Sequence, residues 1–263
     1  MIELDSIKEA ATAFTISLPR LMAIFIMLPV LGKKMLGGRL IRNGVVFSLA
    51  VFICPMVLGT MPDLPASISG ILVTILKETA IGLIVGYCAS VPFWVAEATG
   101  FLIDNQRGAT MASSMNPALE TQSSPLGIML TQGLVTLFFA GGGLLILLGV
   151  VYKSYQFWPV TAFYPTFGIE SVDFLISQLG LLVKLTVILA APIIMAMFLA
   201  EFGLALISRF APQLNVFSLS MPIKSGVGGT LLILYYSLLM SRLSEPMYNI
   251  SEMVDQLLGL LSG

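Results

Sequence analysis

Chemistry in this sequence is to be sought first among the ionisable side chains that stand where charges are costly. Arg20 follows Pro19 inside an apolar run, and Lys77 and Glu78 are adjacent inside another that has Glu97 near its end. Lys184 and Glu201 bracket a third run, and Lys224 interrupts a fourth. A charge inside a membrane span costs ~2.5–3.5 kcal/mol on insertion scales, so each needs a partner or a task. Lys184 and Glu201 fall near the ends of their run, where a long side chain reaches the interface. Arg20, Glu78 and Lys224 lie deeper and are expected to be paired, with each other or with a neighbouring subunit. A proton or ion relay is the sharper alternative. The chain holds no histidine, which removes the usual near-neutral proton carrier, and few acids stand at depth, so pairing is favoured.

Other chemistry finds no support. There is no nucleotide-binding glycine motif, no metal-ligand cluster and no nucleophile beside a base. Gly141, Gly142 and Gly143 lie in a charge-free run without the Lys and Ser/Thr that a phosphate loop needs. Cys54 and Cys88 sit in apolar stretches and read as buried, inert thiols; nothing supports a disulfide between them. A net charge of −1 offers no basic footprint for nucleic acid. The expectation is a protein that is not an enzyme, with no cofactor, no metal and no nucleic-acid partner.

The elements that carry these residues are apolar helices. The chain is 57% hydrophobic and 10% charged over 263 residues, against about 45–50% and about 25% in soluble domains. Too few charges remain to cover a water-facing surface. About six segments approach the ~20 residues needed to cross a bilayer, at 10–31, 44–61, 68–96, 126–151, 181–207 and 216–240. The fourth, from Leu126 to Val151, carries no charged residue at all. Lys33, Lys34, Arg39 and Arg42 make the first connection the most basic, which predicts that it is cytoplasmic and that both termini lie outside. The acidic start, with Glu3, Asp5 and Glu9, does not resemble a cleavable leader.

Pro19, Pro29, Pro55, Pro92, Pro192 and Pro222 fall within five of the six spans. Each interior proline removes a backbone donor, so bent or broken helices are expected, buried among partners that satisfy the freed groups. Gly82, Gly86 and Ser90, and the patch at Gly141 to Gly143, leave backbone bare for close helix packing. Two stretches are amphipathic. Ile169, Val172, Ile176 and Leu179 form one stripe, with Glu170, Asp173 and Ser177 off it; Met247, Ile250, Val254, Leu257 and Leu261 form another, opposite Glu252, Asp255 and Gln256. Neither has a basic polar face, which favours docking on protein over lying on lipid.

Residues 100–127 read GFLIDNQRGATMASSMNPALETQSSPLG, polar and small between two apolar helices. Asp104 and Arg107 are three apart and pair if the helix reaches them. Gly108 and Pro117 then favour irregular backbone, and Met111 and Met115 stand among small and hydroxylated residues. On pattern alone a solvated loop is favoured over a re-entrant or pore-plugging one.

PFWVAEATGFLIDNQRGATM (92–111) and SRFAPQLNVFSLSMPIKSG (208–226) closely resemble the SctT/SpaR/YscT family of type III secretion systems, whose flagellar relative is FliR. The LP-R and LPxL patterns of the opening helix (Leu18 to Arg20, Leu28 to Leu31) and the RNG at Arg42 to Gly44 extend the resemblance over most of the chain. It implies an all-α membrane protein of kinked helical segments forming bent hairpins in a helical export gate. Residues 1–263 would form one integral-membrane domain, with a plug-like loop at about 104–125 and an amphipathic tail at about 244–263. The site would lie in the bacterial inner membrane, partly raised into the periplasm. SctR-like and SctS-like subunits and an SctU-like switch protein are the implied partners, with translocating protein substrates and membrane lipid. Arg107, Gly108, Met111, Met115, Asn116 and Pro117 would belong to the plug. Arg209, Pro212, Gln213, Asn215, Phe217 and Lys224 would pack against neighbouring subunits, and Arg20, Glu78 and Asp104 would be buried charges. An independent transporter, or a scaffold that nucleates the gate without lining it, are the alternatives.

Overall fold

The computed structural model describes residues 2–31, 39–59, 68–109, 124–162, 168–211 and 216–261. The chain is an all-α, multi-pass membrane protein. Its helices are α1 (Ile2–Met27), α2 (Arg39–Leu58), α3 (Ile68–Gln106), α4 (Pro125–Ala140), α5 (Gly143–Phe157), α6 (Ile169–Phe210), α7 (Val216–Tyr248) and α8 (Ile250–Leu261), with a 3-10 turn at Pro29–Leu31 after α1. Among the described residues, five helices are long and apolar enough to cross a membrane, and α4 with α5 makes up a sixth, broken span.

The expected span at 126–151 is thus present, broken between Ala140 and Gly143. Its glycines form a turn: Gly142 has φ 75°, a left-handed conformation that only glycine adopts cheaply, and a Cβ on it would meet nothing within 4 Å. Pro29 stands where α1 gives way to the 3-10 turn. Helices run through Pro19, Pro55, Pro92, Pro192 and Pro222 without ending, whereas the break falls at glycine. The third and fifth spans are also much longer than hydropathy marks. α3 has 39 residues and α6 has 42, which at about 1.5 Å per residue makes them about 58 and 63 Å long.

The chain groups into two compact units interleaved in sequence: Met1–Val91, Gly141–Gln178 and Met247–Gly263 form the first, Pro92–Ala140 and Leu179–Pro246 the second. In the first, α1 pairs with α2, and Phe14 stacks on Phe47 at 6.1 Å. Gly82 and Gly86 do what their spacing predicts. A Cβ on Gly82 would run into the Arg20 backbone and Ala23, and one on Gly86 would stand 2.9 Å from the Ile24 Cα. The bare face of α3 therefore lets α1 come into backbone contact. The tail helix α8 packs on α5, with Ile250, Val254 and Leu257 buried. Its polar face gives Asp255 to Lys153 at 2.6 Å. The stripe of Ile169, Val172 and Ile176 is part of α6 and not a separate helix, and it is exposed.

In the second unit, Ile103, Ala190, Ile193, Met197 and Leu232 form one buried cluster. Phe93 meets Phe138 edge to face at 5.6 Å. α3 and α4 touch backbone to backbone, since a Cβ on Gly100 would run into Gly127.

Candidate functional site

Two buried carboxylates on α3 organise the polar groups of the two units. Glu78 does so in the first. α1 delivers Arg20, which is fully buried, and its guanidinium grips Glu78 with two nearly parallel bonds, Nε to Oε2 at 2.7 Å and Nη2 to Oε1 at 3.0 Å. This forked geometry is the strongest form of such a pair. Nη1 donates to Ser154 Oγ at 3.2 Å, Nη2 also donates to the Trp158 carbonyl at 3.0 Å, and Arg20 Cζ lies 3.9 Å from the Tyr155 ring centroid. The Tyr155 hydroxyl donates to the Ser17 carbonyl at 3.0 Å and ties α5 back to α1.

Lys77 completes the cluster. Its Nζ is 3.1 Å from Glu78 Oε1 and donates to the carbonyls of Val160 (2.6 Å), Ala162 (2.9 Å) and Pro159 (3.4 Å). Arg20 and Lys77 therefore take up carbonyls at and just beyond the C-terminal end of α5, where the helix dipole favours cations. With both cations fully engaged by one acid and by backbone, the arrangement is a fixed ionic keystone. The pairing expected for Arg20 and Glu78 is present.

Asp104 organises the second unit, near the end of α3. Arg107 Nη2 stands 2.6 Å from its Oδ1, one turn on. The other oxygen, Oδ2, accepts from Ser124 Oγ at 2.5 Å and from the Leu126 N–H at 2.9 Å. Ser124 caps α4: its Oγ accepts from the Gly127 N–H at 2.8 Å, and Pro125 takes the first helical position, where no N–H is needed. A carboxylate at the start of α4 also suits the helix dipole. The residues entering and leaving the 110–123 segment thus converge on one carboxylate. Gly108 turns the chain at φ 82°, against the Met221 side chain.

The remaining predicted residues divide. Lys224 pairs with Glu201 at 3.1 Å, so Glu201, expected to reach an interface from a helix end, is instead a partner well inside α6. Lys184 is likewise in the interior of α6 and exposed. Arg209 is exposed in the last turn of α6, and Phe217 lies in the first turn of α7. Met111, Met115, Asn116, Pro117, Pro212, Gln213 and Asn215 lie outside the described residues. Cys88 is buried and Cys54 half-buried, both as free thiols. Among the described residues no three potential metal-ligand side chains of His, Cys, Asp or Glu come together.

Sequence reasoning missed Ser154, Tyr155, Lys153 and Ser124. Only Ser124 carried a usable signal, the Ser-Pro pair that opens many helices.

The family described as bacterial export proteins, family 1, matches residues 11–250. The chain is 47% identical to the Yop proteins translocation protein T of Yersinia pestis over 257 residues, 98% of each chain. It is 36% identical to the secretion system apparatus protein SsaT of Salmonella typhimurium, covering 84% of this chain and 85% of that one. It is 29% identical to the flagellar biosynthetic protein FliR of Bacillus subtilis over 90% of each. An apolar, all-helical chain that aligns with these proteins over nearly its whole length belongs to family 1 of the bacterial export proteins.

Proposed function

We propose that this chain is a core component of a type III export apparatus in the bacterial inner membrane, one subunit of the gate through which unfolded proteins leave the cytoplasm. The observation that carries the reading is the 47% identity to a Yop translocation protein across 98% of both chains. Its role is to help form and close a conduit and not to catalyse. SctR-like and SctS-like subunits and an SctU-like protein are its companions, and the chain acts with them as one gate domain.

The Asp104 clasp supports a closing role for the segment it bounds. A loop that must block a passage needs fixed ends, and Arg107 and Ser124 fix them on one carboxylate. The plug would be the intervening residues, with Met111 and Met115 as its bulk. The Arg209 and PQLNVF region would pack on neighbouring subunits. The test is to shorten residues 109–123 in an assembled gate. Small-solute leakage should rise; unchanged conductance with secretion intact would overturn the plug.

A further inference from the structure

Lys184 is a charge that the fold leaves unanswered. Three other cations set inside the apolar helices have partners: Arg20 and Lys77 meet Glu78, and Lys224 meets Glu201. The Lys184 ammonium has none among the described residues. The positions one turn away are Gly180, Leu181, Val187 and Ile188, none able to answer it. Around it the surface is apolar and exposed, with Leu179 at 52%, Val183 at 60% and Val187 at 54%. Gly180 shares this face, and a Cβ there would meet nothing within 4 Å, so bare backbone faces outward.

A lysine in such a place can reach a lipid phosphate only if the bilayer surface lies at its level. α6 is too long for that to settle the rest of the face. From Lys184 the helix runs about 22 Å back to Ile169 and about 39 Å on to Phe210, at about 1.5 Å per residue, and a hydrocarbon core is about 30 Å thick. The N-terminal arm exposes Ile169, Val172 and Ile176; the C-terminal arm exposes Met195, Phe198 and Leu206. Whichever arm enters the bilayer, the other carries an apolar stripe outside it. Such a stripe is covered by protein.

We infer that the α6 face centred on Gly180 and Lys184 is a docking surface for an apolar helix of another membrane subunit, one that carries a carboxylate opposite Lys184. Gly180 admits the helix closely, and the acid neutralises a cation that would otherwise be costly. The identity of the partner as an export-apparatus subunit rests on the function proposed above.

The test uses the full chain in cells that make the whole apparatus, with a photoreactive benzophenone side chain in place of Val187. Irradiation should link it to another membrane polypeptide, at a peptide with an Asp or Glu inside an apolar helix. Lys184→Glu should cut that product roughly tenfold, because like charges would then face each other. Lys184→Arg should retain it, and replacing the partner's acid by Lys should restore the Lys184→Glu chain. If Lys184→Glu does not accumulate, Lys184→Met serves, with a several-fold loss expected. Adducts to phospholipid alone, or a product unchanged by either substitution, would overturn the docking surface. A wild-type chain that still copurifies with companions in that case leaves the export-apparatus reading standing, whereas one that copurifies with none sinks both.

Discussion

The two outer ends of the broken span α4–α5 are held by opposite chemistry. The start of α4 meets a carboxylate, Asp104, which accepts from the Leu126 N–H and from the capping Ser124. The end of α5 meets two cations, Arg20 and Lys77, which donate to carbonyls from Trp158 to Ala162. Each sign suits the helix end it faces. The difference lies in what balances the charge. Asp104 is countered by Arg107 three residues away, a local device that needs only one helical turn. Arg20 is countered by Glu78 across 58 residues, so that end exists only once α1, α3 and α5 have assembled. One end is a clasp, and the other is a keystone.

Removing the keystone should therefore cost most. Glu78→Gln leaves a buried guanidinium without its counter-charge, a loss of about 3–5 kcal/mol. In detergent the variant should melt well below the parent, and replacing Arg20 and Glu78 together by Met should recover much of the difference. A Glu78→Gln chain as stable as the parent would break the distinction. Asp104→Ala should cost less, about 1–3 kcal/mol, because the Leu126 N–H and Arg107 lose a buried partner. Limited proteolysis should show cleavage rising between residues 105 and 124 while the remaining helices stay protected. Ser124→Ala removes one cap at about 1 kcal/mol, read as a small fall in melting temperature; a fall as large as that of Glu78→Gln would contradict the ranking. Lys153→Ala breaks a half-exposed pair with Asp255 and should cost no more than about 1 kcal/mol, with the tail helix still held by Ile250, Val254 and Leu257. Release of the tail to protease would show that the pair, and not the apolar face, docks it.

The helical, membrane-embedded character of the chain was legible because composition alone forbids a water-facing surface. The depth of Arg20 and Glu78 was legible for the same reason, since an ionisable residue in an apolar run is conspicuous. Their mutual geometry was only an expectation, as no periodicity connects positions so far apart. Lys184 was misread as a helix-end residue because hydropathy starts the fifth span near residue 181, whereas the helix begins at Ile169. The polar residues of that first stretch hid its continuity from a hydropathy window. The glycine triplet was visible, but close packing and a turn leave the same sequence trace. What separates them is the φ of Gly142 and the empty space around it, which only coordinates give.

The central claim, that this family 1 export protein works as one subunit of a gate and not alone, is open to a single purification. The tagged chain, extracted in mild detergent from cells that make the full apparatus, should come away in a mixed complex with at least two other small membrane proteins. A chain recovered by itself, and active by itself in liposomes, would contradict it.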